Sequence, residues 1–413
     1  TDTAIYFLTW NSSTANNHYL TEYNSTANPP AAEPYFWHEE KLVYGDHYQQ
    51  GEDRSNNGLG LAPRYGLAEG YATKDFLKDQ SVDLSFSNPY LNGPDANIRL
   101  RLGTRSGNHS LRVLFDGDTT VYSNFGGWTA DNYSFSTSTA NLSSNNTLRI
   151  LGVESSEDQY IIASIISIYP RTFDFDNTNS FFFKIPSNKV DRYLEISNFD
   201  HGGVAPVLYD VTNQRRLLTD LDNGIVKVLL SPFDGERELV LVSSVGHKSA
   251  TSIDKREFAN YDFSETGTDY DYIILSHPTL INDANNYVQQ YADYRASAAG
   301  GSYTPLIVDV TDLYDQFCYG LVRHELGIRN FLKLADTNWD TDYLFIIGKG
   351  ESRQRIRGNN YNPTYDLIPP FGYPNSDYLY VVDNDALDTD PWMAVGRIDT
   401  LFSATSCSSI FFR

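Results

Sequence analysis

Sulfur is scarce in this sequence. Its 413 residues include 1 Met and 2 Cys, at Cys318 and Cys407. Neither cysteine belongs to a CxxC pair or shows zinc-ligand spacing, which excludes a disulfide framework and argues against a metal–thiolate site. Long apolar runs are lacking as well. The longest, Tyr160–Tyr169 (YIIASIISIY), falls well short of the roughly 18 residues a membrane helix needs, and reads as one buried strand or two. Positive charge is in short supply: 31 Lys and Arg face 53 Asp and Glu, a net charge of −22. Nucleic acid is therefore not an expected partner, and an anionic lipid surface would repel the chain. Acidity of this kind suits solubility, life at a surface, or cation binding. The chain begins at Thr1 without Met and without a signal peptide, so it reads as processed or as a fragment.

Apolar and aromatic residues are plentiful. The chain is 40% hydrophobic, with 30 Tyr and 23 Phe, enough for real cores. Residues 1–171 read as an all-β sandwich domain. Ile98–Gly117 alternates apolar and polar, breaks at Gly107-Asn108, and alternates again, as a hairpin does. Thr147–Glu154 and Ile161–Pro170 continue the pattern. Phe36–Tyr48 (FWHEEKLVYGDHY) reads as a short helix or an edge segment. Residues 172–263 read as a second, smaller β-domain. Its four strands are Ser180–Pro186, Pro206–Thr212, Gly224–Pro232 and Arg237–Ser244, with a polar linker from Gly246 to Asp269.

The pattern then changes. Tyr270–Pro278, Thr304–Val310 and Asp342–Gly348 are short continuous apolar runs, as in strands buried on both faces. Asp377–Asp383 reads as a fourth. Helical spacing of Ala284, Tyr287, Val288, Tyr291 and Tyr294 lies between the first two, and a helical stretch ending in Gly327–Ala335 follows the second. Residues 264–413 are thus expected to form an α/β half-domain with a parallel, Rossmann- or flavodoxin-like sheet.

Several constellations invite chemistry. Gly348-Lys349-Gly350 ends an apolar strand, but only one residue separates the glycines. A phosphate loop needs GxxxxGK[ST] followed by a helix, so a tight turn explains the glycines better. Its place at the carboxyl end of a strand keeps it of interest. Asp383–Pro391 (DNDALDTDP) is either a solvated acidic turn or a hard-cation site; it lacks the Gly and Glu of an EF-hand. Cys318 and His324 sit too close in sequence for the usual nucleophile–base pair drawn from separate elements. His277 follows the first parallel strand and reads as a turn residue. Six Asn-x-Ser/Thr sequons, at Asn11, Asn24, Asn108, Asn132, Asn141 and Asn145, matter only in a eukaryotic secretory route.

The third region resembles a known family. DYDYIILSHP, YVQQYADYR, LIVDV, IRNFLK, DYLFIIGKGE, SDYLYVVDND and WMAVGRID come in the order and spacing of the gingipain-type cysteine peptidases, family C25. The likeness is greatest to the PorU-like sortases of the bacterial type IX secretion system. AIYFLTWN, the HEE stretch at His38 and IISIYPRTF extend it toward the start. The resemblance implies processing of C-terminal sorting signals on exported cargo, at the outer-membrane surface and beside secretion components. It places the catalytic His and Cys after the VGR strand, beyond Arg397, so this chain is expected to be inactive, with no catalytic residue of its own. It also implies Ca²⁺, the one cofactor in view, held by an acidic loop here represented by Asp385, Asp388 and Asp390. Lys349 stands where the family has a ligating Asp, and is expected to replace the cation as counter-charge. The alternative is a non-catalytic β-sandwich scaffold for glycans or protein partners, using Trp10, Trp37, Trp128, Tyr133 and Phe135 as an aromatic platform.

Overall fold

The computed structural model describes residues 6–8, 19–45, 47–51, 67–250, 252–264, 267–351, 365–371, 375–383 and 390–400. They divide into two compact units, one drawn from 10–49 and 70–253, the other from 1–9, 50–69 and 254–413.

The first unit is all β. Strands β1 (Phe36–Val43), β2 (Ala96–Thr104), β3 (Ala130–Thr137) and β4 (Tyr160–Arg171) lie in one nine-stranded sheet. The strand order is Leu20–Glu22, Arg215–Leu218, Val207–Asp210, Arg237–Val242, Ser180–Ile185, β1, β4, β2, β3. Alternation explains β2: Ile98, Leu100 and Leu102 are buried while Arg99 and Arg101 point to solvent. Two separate apolar cores lie against this sheet. One gathers Ile98, Leu100, Leu111, Leu148, Ile150 and Ile165. The other gathers Phe36, Phe175, Phe183, Leu194, Val226 and Leu239. Each such fully buried side chain contributes about 1.5–3 kcal/mol. The β-regions on either side of residue 171 thus have their own cores yet share a sheet, joined where Lys184 pairs Trp37.

Several local expectations need correction. Phe36–Tyr48 is not helical; β1 pairs β4 over eight residues. Its apolar positions alternate weakly because Glu39, Glu40 and Lys41 interrupt them, which hid the strand. Arg192–Phe199 is a further strand, pairing Ile225–Leu230; Arg192 and Glu195 masked its alternation. Asp377–Tyr380 is a 3-10 helix, and the fourth parallel strand is Ala394–Ile398. Consecutive burial of Leu379, Tyr380, Val381 and Val382 imitates a strand run. The polar linker also carries anchors. Phe263 stacks on Trp339 at 4.4 Å, Tyr261 meets Phe331 at 4.9 Å, and the Trp339 indole donates to the Asp262 carbonyl at 3.0 Å.

His38 on β1 packs among aromatics, 5.4 Å from Tyr169 and 5.9 Å from Phe181 between ring centres. Burial, with the Arg171 charge adding to it, pushes its pKa down to about 4. The unfolded imidazole titrates near 6.5. Between those values the unfolded chain binds a proton the folded chain refuses, so stability falls as pH drops through that window. At about 1.4 kcal/mol per pKa unit, reduced for partial exposure, the loss is about 2 kcal/mol. Urea unfolding at pH 7 and pH 4.5 checks this. His38→Phe is expected to lose less stability than the parent on acidification, and equal losses in both would refute the assignment.

The second unit holds a parallel sheet. Strands β5 (Tyr272–Ser276), β6 (Pro305–Asp309), β7 (Tyr343–Ile347) and β8 (Ala394–Ile398) lie in the order β6-β5-β7-β8, every pair parallel. Helices α1 (Tyr287–Ala296), α2 (Val310–Phe317) and α3 (Glu325–Trp339) connect them. All five β5 residues are buried, as a central parallel strand requires. Asp309 caps α2 by accepting from the Thr311 N–H at 2.8 Å, and α3 turns Ile328, Phe331, Leu332 and Ala335 into the core. None of the helices among the described residues is long and apolar enough to cross a membrane.

Candidate functional site

In the order β6-β5-β7-β8 the chain moves outward on one side of β5, then returns to the other side for β7. Ligands of open parallel sheets bind beyond the carboxyl ends of the strands at such a reversal. Here that place lies between Ser276 and Gly348. Ser276 is fully buried, and its hydroxyl donates to the Ile347 carbonyl at 2.8 Å, tying the two strand ends together. His277 follows it. Its Nδ1 accepts from the Thr279 N–H at 3.2 Å, capping the single turn Pro278–Ile281. Burial lowers its pKa and Arg323 adds to this, while Asp309 opposes it. The ring is thus a neutral cap, in keeping with its reading as a turn residue.

Gly348-Lys349-Gly350 is built for close packing. Gly348 has φ +154, and a Cβ there would meet Ile368 at 3.0 Å. A Cβ on Gly350 would lie 2.3 Å from the Ile368 carbonyl oxygen. Neighbouring N–H groups turn inward: Gly348 donates to Ile398 at 3.0 Å, Lys349 to Thr400 at 2.8 Å, and Glu351 to the Asp366 carboxylate at 3.1 Å. Amides engaged in this way are not presented to a phosphate, which sets the loop apart from a nucleotide cradle.

Sequence reasoning passed over the residue that organises this edge. Arg397 on β8 grips Asp377 with both forks, Nε at 2.7 Å and Nη2 at 2.6 Å. Its Nη1 donates to the Gly348 carbonyl at 2.7 Å and to the Ile368 carbonyl at 3.0 Å. One planar guanidinium therefore joins the end of β7, the segment around Ile368, and the 3-10 helix at Asp377. Burial would lower its pKa, but Asp377 outweighs that and holds the arginine firmly charged. SDYLY and VGRI are both visible in the sequence; nothing in it says that they touch.

The expected metal set is only partly within view. Asp385 and Asp388 lie outside the described residues, and Asp390 is exposed. Lys349 reaches Glu351 at 3.4 Å and lies 5.8 Å from the Tyr365 ring centre. Asp383, at the start of the acidic loop, is taken by Lys333 at 3.1 Å. Arg329 and Lys333 both lie over Trp392, at 5.1 and 5.3 Å. Among the described residues no three His, Cys, Asp or Glu are grouped to hold a metal. An ammonium cannot ligate Ca²⁺, so Lys349 supplies no ligand at its position, and no chemical step is routed through a metal.

Catalytic groups fare similarly. Cys318 is buried at the end of α2, and His324 is the N-cap of α3, its Nδ1 accepting from the Leu326 N–H at 3.2 Å. Cys407 lies outside the described residues, as does Trp10. Of the aromatics considered for a platform, Phe135 is buried and Tyr133 packs against the same core, while Trp37 and Trp128 are partly exposed.

Residues 265–406 match the family model described as peptidase family C25. No curated protein sequence matches the chain. Among solved structures, dimeric latent PorU from Porphyromonas gingivalis is 14% identical with a TM-score of 0.60, covering 93% of this chain and 38% of its own length. The chain thus spans little more than a third of that protein. Two carbohydrate-binding modules also align over part of the chain. The CBM36-1 domain of a xylanase from the hindgut metagenome of Trinervitermes trinervoides is 13% identical, covering 32% of this chain and 96% of its own, with a TM-score of 0.20. A family 35 module from Clostridium thermocellum is 9% identical, covering 31% and 97%, also at 0.20. The parallel-sheet region of this chain matches peptidase family C25, within a fold similar to that of latent PorU.

Proposed function

We propose that this chain is the amino-terminal portion of a PorU-like C25 peptidase, a sortase that removes C-terminal sorting signals from proteins exported by type IX secretion. The observation that carries the reading is the family match over residues 265–406, coupled to a PorU-like fold over 93% of the chain. On this reading the parallel sheet is the first half of a Rossmann-like catalytic domain, and the chain works at the bacterial outer-membrane surface. Its partners are exported cargo and the secretion machinery. On this reading the described residues supply scaffold, with Arg397 and Asp377 holding the carboxyl edge of the sheet, and the catalytic His and Cys are expected outside them.

Two measurements test this. Deleting the gene in its bacterial host is expected to leave exported proteins carrying their C-terminal signal domains, seen as a mass increase in secreted cargo; normally processed cargo would reject the sortase reading. The purified chain, offered a peptide with such a signal, is expected to show no turnover. Turnover abolished by Cys318→Ala would overturn the scaffold role of the described residues.

A further inference from the structure

The outward face of the nine-stranded sheet carries a feature that the peptidase reading does not use. Directly paired residues of an antiparallel sheet share a face. One row across the strands is Asn132, Arg101, Ser164, Val43, and the next is Ser134, Arg99, Ile166, Lys41. Arg99 and Arg101 are both exposed. Their cross-strand neighbours on β3 and β4 are amide, hydroxyl or alkyl groups. Glu39, one row further on, is engaged by Lys41 at 2.6 Å. Arg99 bonds only the Asn97 amide, at 2.9 Å, and among the described residues neither arginine has an ion-pair partner. This is unexpected in a chain with 53 carboxylates and 31 bases. Two like charges two residues apart on one face of a strand repel each other.

The arginines border a depression of about 400 Å³, lined also by Asn132, Ser134, Ser164 and Ile166. That is the size of a small-ligand site. We infer that this depression binds a carboxylate-bearing oligosaccharide, a uronate chain. The guanidinium forks match carboxylates in bidentate geometry. Asn and Ser side chains offer donors and acceptors to hydroxyls, and Ile166 offers an apolar floor. An extended acidic peptide is the poorer occupant. β2 is hydrogen-bonded to β4 on one side and β3 on the other, so a peptide could not add as a strand here. The site lies in the all-β unit and holds whether or not the chain belongs to a sortase.

Isothermal titration calorimetry on the full chain tests this with three probes: oligogalacturonate, its methyl-esterified neutral counterpart, and a polyglutamate peptide of matched charge. Oligogalacturonate is expected to bind saturably, and the esterified sugar not to bind. Arg99→Ala combined with Arg101→Ala is expected to weaken affinity by about tenfold or more, as loss of charge-assisted hydrogen bonds predicts. Replacing both with Lys is expected to restore part of it. Both side chains are exposed, so an unchanged melting temperature confirms that each variant is folded. Three results would overturn the inference: no binding of oligogalacturonate, unchanged affinity in the double Ala variant, or polyglutamate binding as tightly through the same arginines.

Discussion

Replacing Asp158 with Ala is expected to destabilise the all-β unit by about 3–5 kcal/mol, the summed cost of leaving several donors in the interior without their acceptor. Asp158 and His109 are both fully buried side chains. His109 Nδ1 is 3.2 Å from Asp158 Oδ1, and its Nε2 is 2.8 Å from the Arg105 carbonyl oxygen. Both neighbours accept, so a ring N–H on either side finds a partner. The other carboxylate oxygen takes the N–H groups of Ser110 at 3.1 Å and Glu154 at 3.0 Å. The Tyr160 hydroxyl approaches the same carboxylate without meeting hydrogen-bond geometry. Alanine would leave two buried donors, on His109 and Ser110, and the part-buried Glu154 N–H without their acceptor. Such a loss is a large share of the roughly 5–15 kcal/mol that holds a domain folded. It should lower the melting transition of the unit by about 10 °C.

The pH dependence of that pair has a definite sign. Burial pushes the Asp158 pKa up, but the Glu154 and Ser110 amides, Tyr160 and His109 together pull it below the usual value. A carboxylate with a depressed folded pKa contributes stability above its unfolded pKa, and that contribution fades as pH falls through the folded one. In Asp158→Ala this acid-dependent part should disappear. Urea denaturation at neutral pH measures the main effect, and a change below about 1 kcal/mol would show that the pair does not hold the sandwich together.

The second large effect is expected at Arg397. Arg397→Ala should cost the parallel-sheet unit about 3–5 kcal/mol, because it leaves the Asp377 carboxylate and the carbonyls of Gly348 and Ile368 without their donor. Lysine should not rescue it. A single ammonium cannot span a carboxylate and two carbonyls in one plane. The test is a double-mutant cycle read by calorimetry. Asp377→Ala with Arg397→Ala should be less damaging than the sum of the single changes, by more than about 1 kcal/mol. Strict additivity would mean that the 2.6 Å contact contributes nothing to stability. Limited proteolysis adds a local readout: cleavage near Ile368 should quicken in the Arg397 variant before the all-β unit is affected.

Much of this architecture was legible in the chain itself, for reasons of periodicity. Two-residue alternation along Ala96–Thr104 and the unbroken apolar run Tyr272–Ser276 announce a half-exposed strand and a doubly buried one. The ordered blocks from DYDYIILSHP to VGRID suffice to suggest a resemblance to family C25. The reading failed where charge interrupts a strand, as at Glu39–Lys41 and Glu195, and where consecutive burial imitates one, as at Leu379–Val382. Those are local patterns whose outcome depends on the partner they pack against.

The sequence alone also determined the excess of acid, the scarcity of sulfur and the spacing that rules out a phosphate loop at Gly348-Lys349-Gly350. Composition and local spacing suffice for such facts. Only the tertiary structure decided that Arg397 clasps Asp377, that His109 meets Asp158 across 49 residues, and that Arg99 and Arg101 stand together with amide, hydroxyl and alkyl neighbours across the strands. Each of these is set by strand register and sheet order. A shift of one residue in pairing would turn every such side chain to the opposite face, so contacts of this kind have no signature in the linear chain.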